Sequence, residues 1–301
     1  MDVLSKVLEK IKLSSAVYFK SDFPAPWGME VPKGPFSQFH LVAHGKCLLH
    51  FQEEFIELFE GDIVVFPLGS HHWLADAKTS KRASGQEVLT AIQQGESLFQ
   101  GTQLHTTLVC GHFEFDRSFD HPVISELPNL IHITKTEKKD YQWLAQIVEL
   151  IKHESAAGQV GSHVIVNKLG EILFMHVLRA HMLQQKRQQG FLAALLDPRM
   201  AKALTAIHLN PAFEWKLQGL AQIAGMSRTS FCNRFKSLIG DTPLNYVTQW
   251  RMLCARELLL QSAKPVGEIA LEVGYRSEAA FNRVFKKRMV LTPLKFRMER
   301  R

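Results

Sequence analysis

The 301-residue sequence predicts an α+β chain of several domains: a β-rich N-terminal part, following helices, and an all-α C-terminal part. Three observations predict it. Short β-branched runs broken by Gly, Pro and Asp fill residues 15–125, helical periodicity takes over near Lys138, and two segments near the C-terminus repeat each other about 50 residues apart. The 46% hydrophobic content is that of a folded chain. Charge is unevenly placed: residues 200–301 carry 17 Lys/Arg against 7 Asp/Glu, net +10, while residues 1–199 carry 19 against 22, net −3. The basic surplus lies with the repeat, where a phosphate-binding module requires it.

Residues 1–12 form an amphipathic helical pattern with interleaved charge, neither a signal peptide nor a membrane span. Cys47, Cys110, Cys232 and Cys254 are too scattered for a disulfide framework or a paired zinc motif. Both features place the expected protein in the reducing cytoplasm, away from membranes. The runs 39–42, 47–51, 62–66 and 107–110 then read as strands of an antiparallel sandwich or barrel. Trp143, Ile147, Leu150 and Ile151 make one helical stripe, and Val166, Leu169, Ile172, Leu173, His176 and Val177 another. Such helices pack against the sandwich or against a second copy, so a homodimer through residues 138–189 is an expectation. Residues 184–190 have no apolar face and read as a linker. The expected domains are 1–137, 138–190 and 191–301.

The repeat carries the most information. Residues 225–236, GMSRTSFCNRFK, are echoed by 274–286, GYRSEAAFNRVFK, with one extra residue in the second turn; Thr242/Thr292 and Pro243/Pro293 then fall into register. Each copy is a short helix, a glycine turn and a second helix with an apolar stripe, the sequence form of a helix-turn-helix. In the first, Leu217, Leu220, Ile223 and Ala224 lead to Gly225, and Ser227 is placed to cap the next helix. Phe231, Phe235 and Leu238 face the core, which turns Thr229, Cys232, Asn233 and Lys236 outward, with Arg228 beginning that helix. In the second, Ile269, Ala270 and Val273 lead to Gly274, Ser277 caps, Phe281 and Phe285 are buried, and Ala279, Asn282, Arg283 and Lys286 are exposed. Asn pairs with adenine and Arg with guanine, so Asn233, Asn282 and Arg283 are the candidate base readers; Lys236, Lys286 and Lys287 suit phosphates. Residues 243–261 read as one proline-started helix of about 28 Å, near the roughly 34 Å between successive major-groove faces. A plain helical hairpin explains one copy as well, but not two in register beside a local basic surplus.

The stretches 215–244, 250–259 and 274–293 closely resemble the DNA-binding domain of AraC-family transcription regulators, over about 100 residues. The resemblance implies that the positions of Thr229, Cys232, Asn233, Ala279, Asn282 and Arg283 face bases, and that double-stranded promoter DNA and RNA polymerase are partners of a regulator, in many cases an activator. Met289-Val290 stands where that family has an aromatic residue and glycine. Val resists positive φ, so a differently built helix end is expected there.

Gly61, Pro67, Gly69 and His72 fit the spacing G-x5-P-x-G-x2-H, the second motif of cupin barrels. With residues 39–45 and 109–113 the region resembles the cupin-like sensor domain, a jelly-roll β-barrel, found before many AraC-type DNA-binding domains. That implies a small-molecule effector. Nine of fourteen histidines lie between His40 and His132, and His40, His72, Cys110 and His112 are donors that zinc or iron accepts. Against a metal, Gln38 stands two before His40 and the first motif's acidic ligand is missing. Cys110 beside histidines suggests a lowered thiol pKa and a redox signal. The alternative of a metal-dependent cupin enzyme with an appended DNA-binding domain lacks a full metal triad or acid/base pair, so no enzyme is expected. Alkyl repair through Cys110 or Cys232 lacks the Pro-Cys-His setting of that chemistry.

Overall fold

Alternating apolar residues between Ser14 and Glu114 resolve into paired strands, and the 3.6-residue stripes beyond them into helices, in a computed structural model that describes residues 3–10, 13–101, 103–115, 121–134, 142–157, 159–184 and 190–300. The strands are β1 (Ser14–Ala25), β2 (Gly28–Val31), β3 (Ser37–His44), β4 (Lys46–Phe51), β5 (Glu54–Phe59), β6 (Ile63–Phe66), β7 (His72–Ala75), β8 (Ala83–Ser84), β9 (Gln103–Glu114) and β10 (Ile131–Ile133). The helices are α1 (Val3–Lys10), α2 (Gly85–Gln93), α3 (Pro122–Ser125), α4 (Gln142–Ala157), α5 (Ser162–Gln184), α6 (Phe191–Leu196), α7 (Pro198–Leu209), α8 (Leu217–Ile223), α9 (Arg228–Ile239), α10 (Pro243–Gln261), α11 (Val266–Glu272), α12 (Glu278–Met289) and α13 (Pro293–Arg300). The four runs expected as strands fall on β3, β4, β6 and β9, with Asp62 just ahead of β6. Most of the expected linker, residues 185–189, lies outside the described residues.

The chain forms two compact units. One comprises Lys12–Asp116 and Leu127–Gln185, the other Met1–Ile11, Arg117–Glu126 and Lys186–Arg301. In this grouping the two helices of the middle region go with the β unit, while two N-terminal segments go with the helical unit. The reason is where their apolar faces are covered. Helix α5 lies on β1, β9 and β10, whereas α1 buries Val3 and Val7 and packs on α7.

In the β unit the strand orders are β1-β9-β3-β6-β10 and β5-β4-β7-β2-β8, antiparallel except for β2 with β8. The two sheets share one core, to which β1, β3, β6 and β9 contribute Phe19, Val42, Phe66 and Leu108, and the other sheet Met29, Leu49, Leu58 and Leu74. A two-layer sandwich results, with β1 and β10 at the edges of one sheet and β5 and β8 at the edges of the other. The opposite face of the β9 sheet is covered by α5, where Phe174 packs on Phe113 and Phe113 on Phe39. Gly170 lets α5 approach β1, where Asn167 Oδ1 accepts from Val17 N at 3.2 Å and the Asn167 carbonyl accepts from Ser15. Trp143 of α4 stacks on His176 of α5 at 4.0 Å.

Candidate nucleic-acid interface and the buried site of the β unit

In the helical unit the sequence builds two similar helix pairs. Helix α8 ends at a turn in which Gly225 has φ +62°, and Ser227 starts α9 by accepting from Ser230 N. Helix α11 ends at Gly274 with φ +86°, and Ser277 starts α12 by accepting from Ala280 N. Phe231, Phe235, Phe281 and Phe285 are each 0% exposed, so the aromatic stripes fix which face of each second helix looks outward. Arg234 anchors α9 by an ion pair to Asp197, 3.1 Å away, the capping residue of α7. Helix α12 is held by Arg288 to Asn245 of α10 and by Phe285 against Phe296.

Between them, α10 spans 19 residues, as read from the sequence, with Thr242 capping and Pro243 in its first turn. At 1.5 Å per residue that is about 28 Å.

The outward faces carry the predicted contacts. Arg228, Thr229, Asn233 and Lys236 are exposed on α9 and Cys232 is half-buried; Ala279, Arg283, Lys286 and Lys287 are exposed on α12. Asn282 departs from expectation. It is half-buried, and its Oδ1 is sealed from solvent without a hydrogen-bond partner, so in this rotamer it does not present both amide groups to an adenine edge. Val290 is a second correction. It adopts φ +66°, so α12 ends in the same left-handed way as α9 does at Gly240, φ +76°.

The β unit brings together three of the four residues expected as metal ligands. His72 Nδ1 lies 2.8 Å from the Ser70 carbonyl, which only accepts, so Nδ1 carries the proton. Burial pulls His72 down to about 4 and His40 well below its ordinary value, leaving both rings neutral at pH 7. His72 Nε2 therefore accepts from His40 Nε2 at 2.8 Å, and His40 Nδ1 accepts from the Cys110 thiol at 3.0 Å. The result is a neutral chain from Cys110 through both rings to Ser70, with His72 stacked on Phe66 at 3.6 Å.

This arrangement does not fit a metal. Tetrahedral nitrogen ligands at about 2.0–2.1 Å from zinc stand roughly 3.3 Å apart, wider than the 2.8 Å between the two rings. His40 also spends one nitrogen on each neighbour. His112 turns Nε2 to Glu114 at 2.8 Å instead of joining the others, and no group of three or more metal-holding side chains occurs among the described residues. The expected lowered thiol pKa is likewise reversed: burial pushes Cys110 well up, and Cys47 up to about 12. The neighbouring rings are neutral, so they supply no positive charge to offset desolvation.

Sequence reasoning passed over a second feature of that face. Gln38 and His112 are register partners across β3 and β9, and Gln38 Oε1 and His112 Nδ1 are both buried without hydrogen-bond partners. The His112 ring lies between Tyr18 and Phe36, at 4.9 and 4.7 Å. The period-two spacing of Gln38 with His40 and of Cys110 with His112 places all four on one face, a signal available in the sequence.

No helix among the described residues is long and apolar enough to cross a membrane. Residues 2–183 match the family model described as Cupin, and residues 220–299 one described as Helix-turn-helix domain. An uncharacterized HTH-type transcriptional regulator of Haemophilus influenzae is 30% identical, covering 99% of this chain and 98% of its own. HTH-type transcriptional regulator AlkR of Acinetobacter baylyi is 28% identical over 99% and 100% of the two chains. A putative AraC-like transcription regulator of Streptomyces lividans is 30% identical over 99% and 98%. Among solved structures, the DNA-binding domain of AdpA in complex with a target DNA is 32% identical, with 34% of this chain and 92% of that one covered and a TM-score of 0.33. The chain belongs to the AraC-like HTH-type transcriptional regulators, with a cupin domain ahead of its helix-turn-helix domain.

Proposed function

We propose that this regulator reads promoter DNA with two helix-turn-helix units, inserting α9 and α12 into successive major-groove segments of one duplex face. The observation that carries the reading is the pair of serine-capped helices, each buried on a Phe stripe and presenting polar and basic residues outward, one before and one after a 19-residue helix in the chain. Arg228, Thr229, Cys232 and Asn233 from α9, and Ala279 and Arg283 from α12, meet base edges; Lys236, Lys286 and Lys287 meet phosphates. Asn282 joins the base readers only after its amide turns outward. Selection of bound sequences from a randomised duplex pool tests this. Two sequence blocks about one helical turn apart support it, and a single block defeats it.

The β unit receives the signal, which is a small molecule. The buried, unpartnered Gln38 Oε1 and His112 Nδ1 support this, because polar atoms left unpaired in a core cost about 1–3 kcal/mol each and a ligand's own polar groups would satisfy them. The protonated Cys110 thiol argues against oxidation at that sulfur as the signal. No catalytic role is assigned to the domain, since His40 and His72 are spent on one another and His112 turns Nε2 to Glu114. Genomic footprinting of wild type and a Gln38→Leu variant, with and without candidate effectors, tests the assignment; an effector response that survives the substitution removes Gln38 from the site. Promoter output then depends on RNA polymerase, and on a second copy if α4 and α5 make a homodimer.

A further inference from the structure

Arg251 lies on α10, between the two helix pairs, and its guanidinium touches both. Nε donates to the Pro211 carbonyl at 2.7 Å and one terminal nitrogen to the Phe213 carbonyl at 2.8 Å, both in the loop that leads into α8. The other terminal nitrogen donates to the Gly274 carbonyl at 3.2 Å, in the turn between α11 and α12. The two backbones meet directly there, since a Cβ on Gly274 would stand 2.6 Å from the Ala212 carbonyl oxygen. The Tyr275 ring lies 5.7 Å from the guanidinium carbon, and an ion pair from Arg276 to Glu214, 2.5 Å, spans the same junction at the surface.

We propose that Arg251 is a positioning residue that locks the register between the two DNA-reading units and so determines which spacing of half-elements the protein accepts. A helix alone fixes the distance between its ends but leaves each end free to rock about its own connections. Three carbonyls from two different units, gathered by one planar group, remove that freedom. The geometry calls for arginine: its donors point in fixed, divergent directions, whereas a lysine ammonium at one point cannot reach all three oxygens. Selectivity follows because one inserted base pair shifts the second half-element by about 3.4 Å and turns it by roughly 34°. A locked pair of readers meets only one arrangement well.

The inference rests on the two-unit reading above, and the experiment separates the two. The full-length protein is used to select a site from a randomised duplex pool, and duplexes with one base pair added or removed between the two selected blocks are then titrated against wild type, Arg251→Lys and Arg251→Met. Wild type is expected to lose roughly tenfold or more in affinity per base pair of altered spacing, the scale of about one mismatched pair. Arg251→Met is expected to discriminate less than about threefold and Arg251→Lys to fall between, with binding to random duplex unchanged in all three. The lysine variant keeps the charge and the buried stem, so it reports on register even if the methionine variant unfolds. Wild-type discrimination retained by folded Arg251→Lys and Arg251→Met overturns the role of Arg251 alone. A selected site with a single block overturns both this inference and the two-unit reading.

Discussion

At the scale of single residues, the most instructive position is Val290. Left-handed backbone costs a residue with a Cβ about 1–2 kcal/mol, and a β-branched one more. Val290 is 82% exposed, so packing offsets little of that cost. Val290→Gly should therefore raise stability by about 1 kcal/mol, visible as an upward shift of the melting midpoint of the helical unit; an unchanged or lower midpoint would contradict φ +66° at this position. On the DNA side, Arg283→Ala should cost about 1–3 kcal/mol on the selected site and relax the preference at one base, because a bidentate pair is lost. Lys287→Ala should weaken specific and random duplexes alike and lower the salt slope by about 1. Equal losses on both kinds of DNA for Arg283→Ala would place Arg283 on a phosphate.

At the scale of elements, legibility followed periodicity. Helix α10 was readable from Pro243 to Gln261 because proline, a capping Thr242 and an unbroken helical pattern all agree. The caps Ser227 and Ser277, the turns at Gly225 and Gly274, and the start of β7 at His72 were likewise written in single residues whose chemistry permits little else. The Cys110–His40–His72 chain was legible as proximity but not as chemistry. Whether clustered donors bind a metal, activate a thiol or satisfy one another depends on ångström-scale placement and desolvation, which period-two spacing does not encode. Asn282 shows the same limit, for helical spacing fixed its face but not its burial. Capping is testable at this scale. Thr242→Ala removes the acceptor for Asn245 N and should destabilise the helical unit by about 1 kcal/mol in urea unfolding; a loss near zero would mean that Pro243 and packing fix the start of α10 unaided.

At the scale of the molecule, the chain passes between the two units four times, since residues 1–11 and 117–126 leave the N-terminal half to join the helical unit. Periodicity could not announce this, because α1 and α3 are short and their partners are far away in sequence. The second excursion carries a buried hydrogen-bond chain. Val123 N donates to His121 Nδ1 at 3.1 Å, so the proton of His121 sits on Nε2 and is donated to Tyr246 Oη at 3.2 Å. Tyr246 then donates to His208 Nε2 at 2.6 Å. The chain requires both rings neutral, for a proton on His121 Nδ1 would confront the Val123 N–H. Burial accordingly lowers His121 from 6.5 to about 3, and His208 well below 6.5, where the repulsion a proton would meet from His121 and Lys10 adds to the shift. Glu126 acts on Tyr246, whose hydroxyl burial also holds protonated. The sign follows from linkage: above pH 6.5 neither state binds the proton and the unit has its full stability, while between 6.5 and about 3 the unfolded chain is protonated and the folded one is not. Through His121 stability should fall by roughly 2 kcal/mol between pH 7.5 and 5, and His208 acts in the same direction. Urea midpoints of the helical unit should drop accordingly, and His121→Gln should make the pH dependence shallower. An equal midpoint at pH 7.5 and 5 would mean that these rings are solvated, and that residues 121–126 do not occupy the core of the DNA-reading unit.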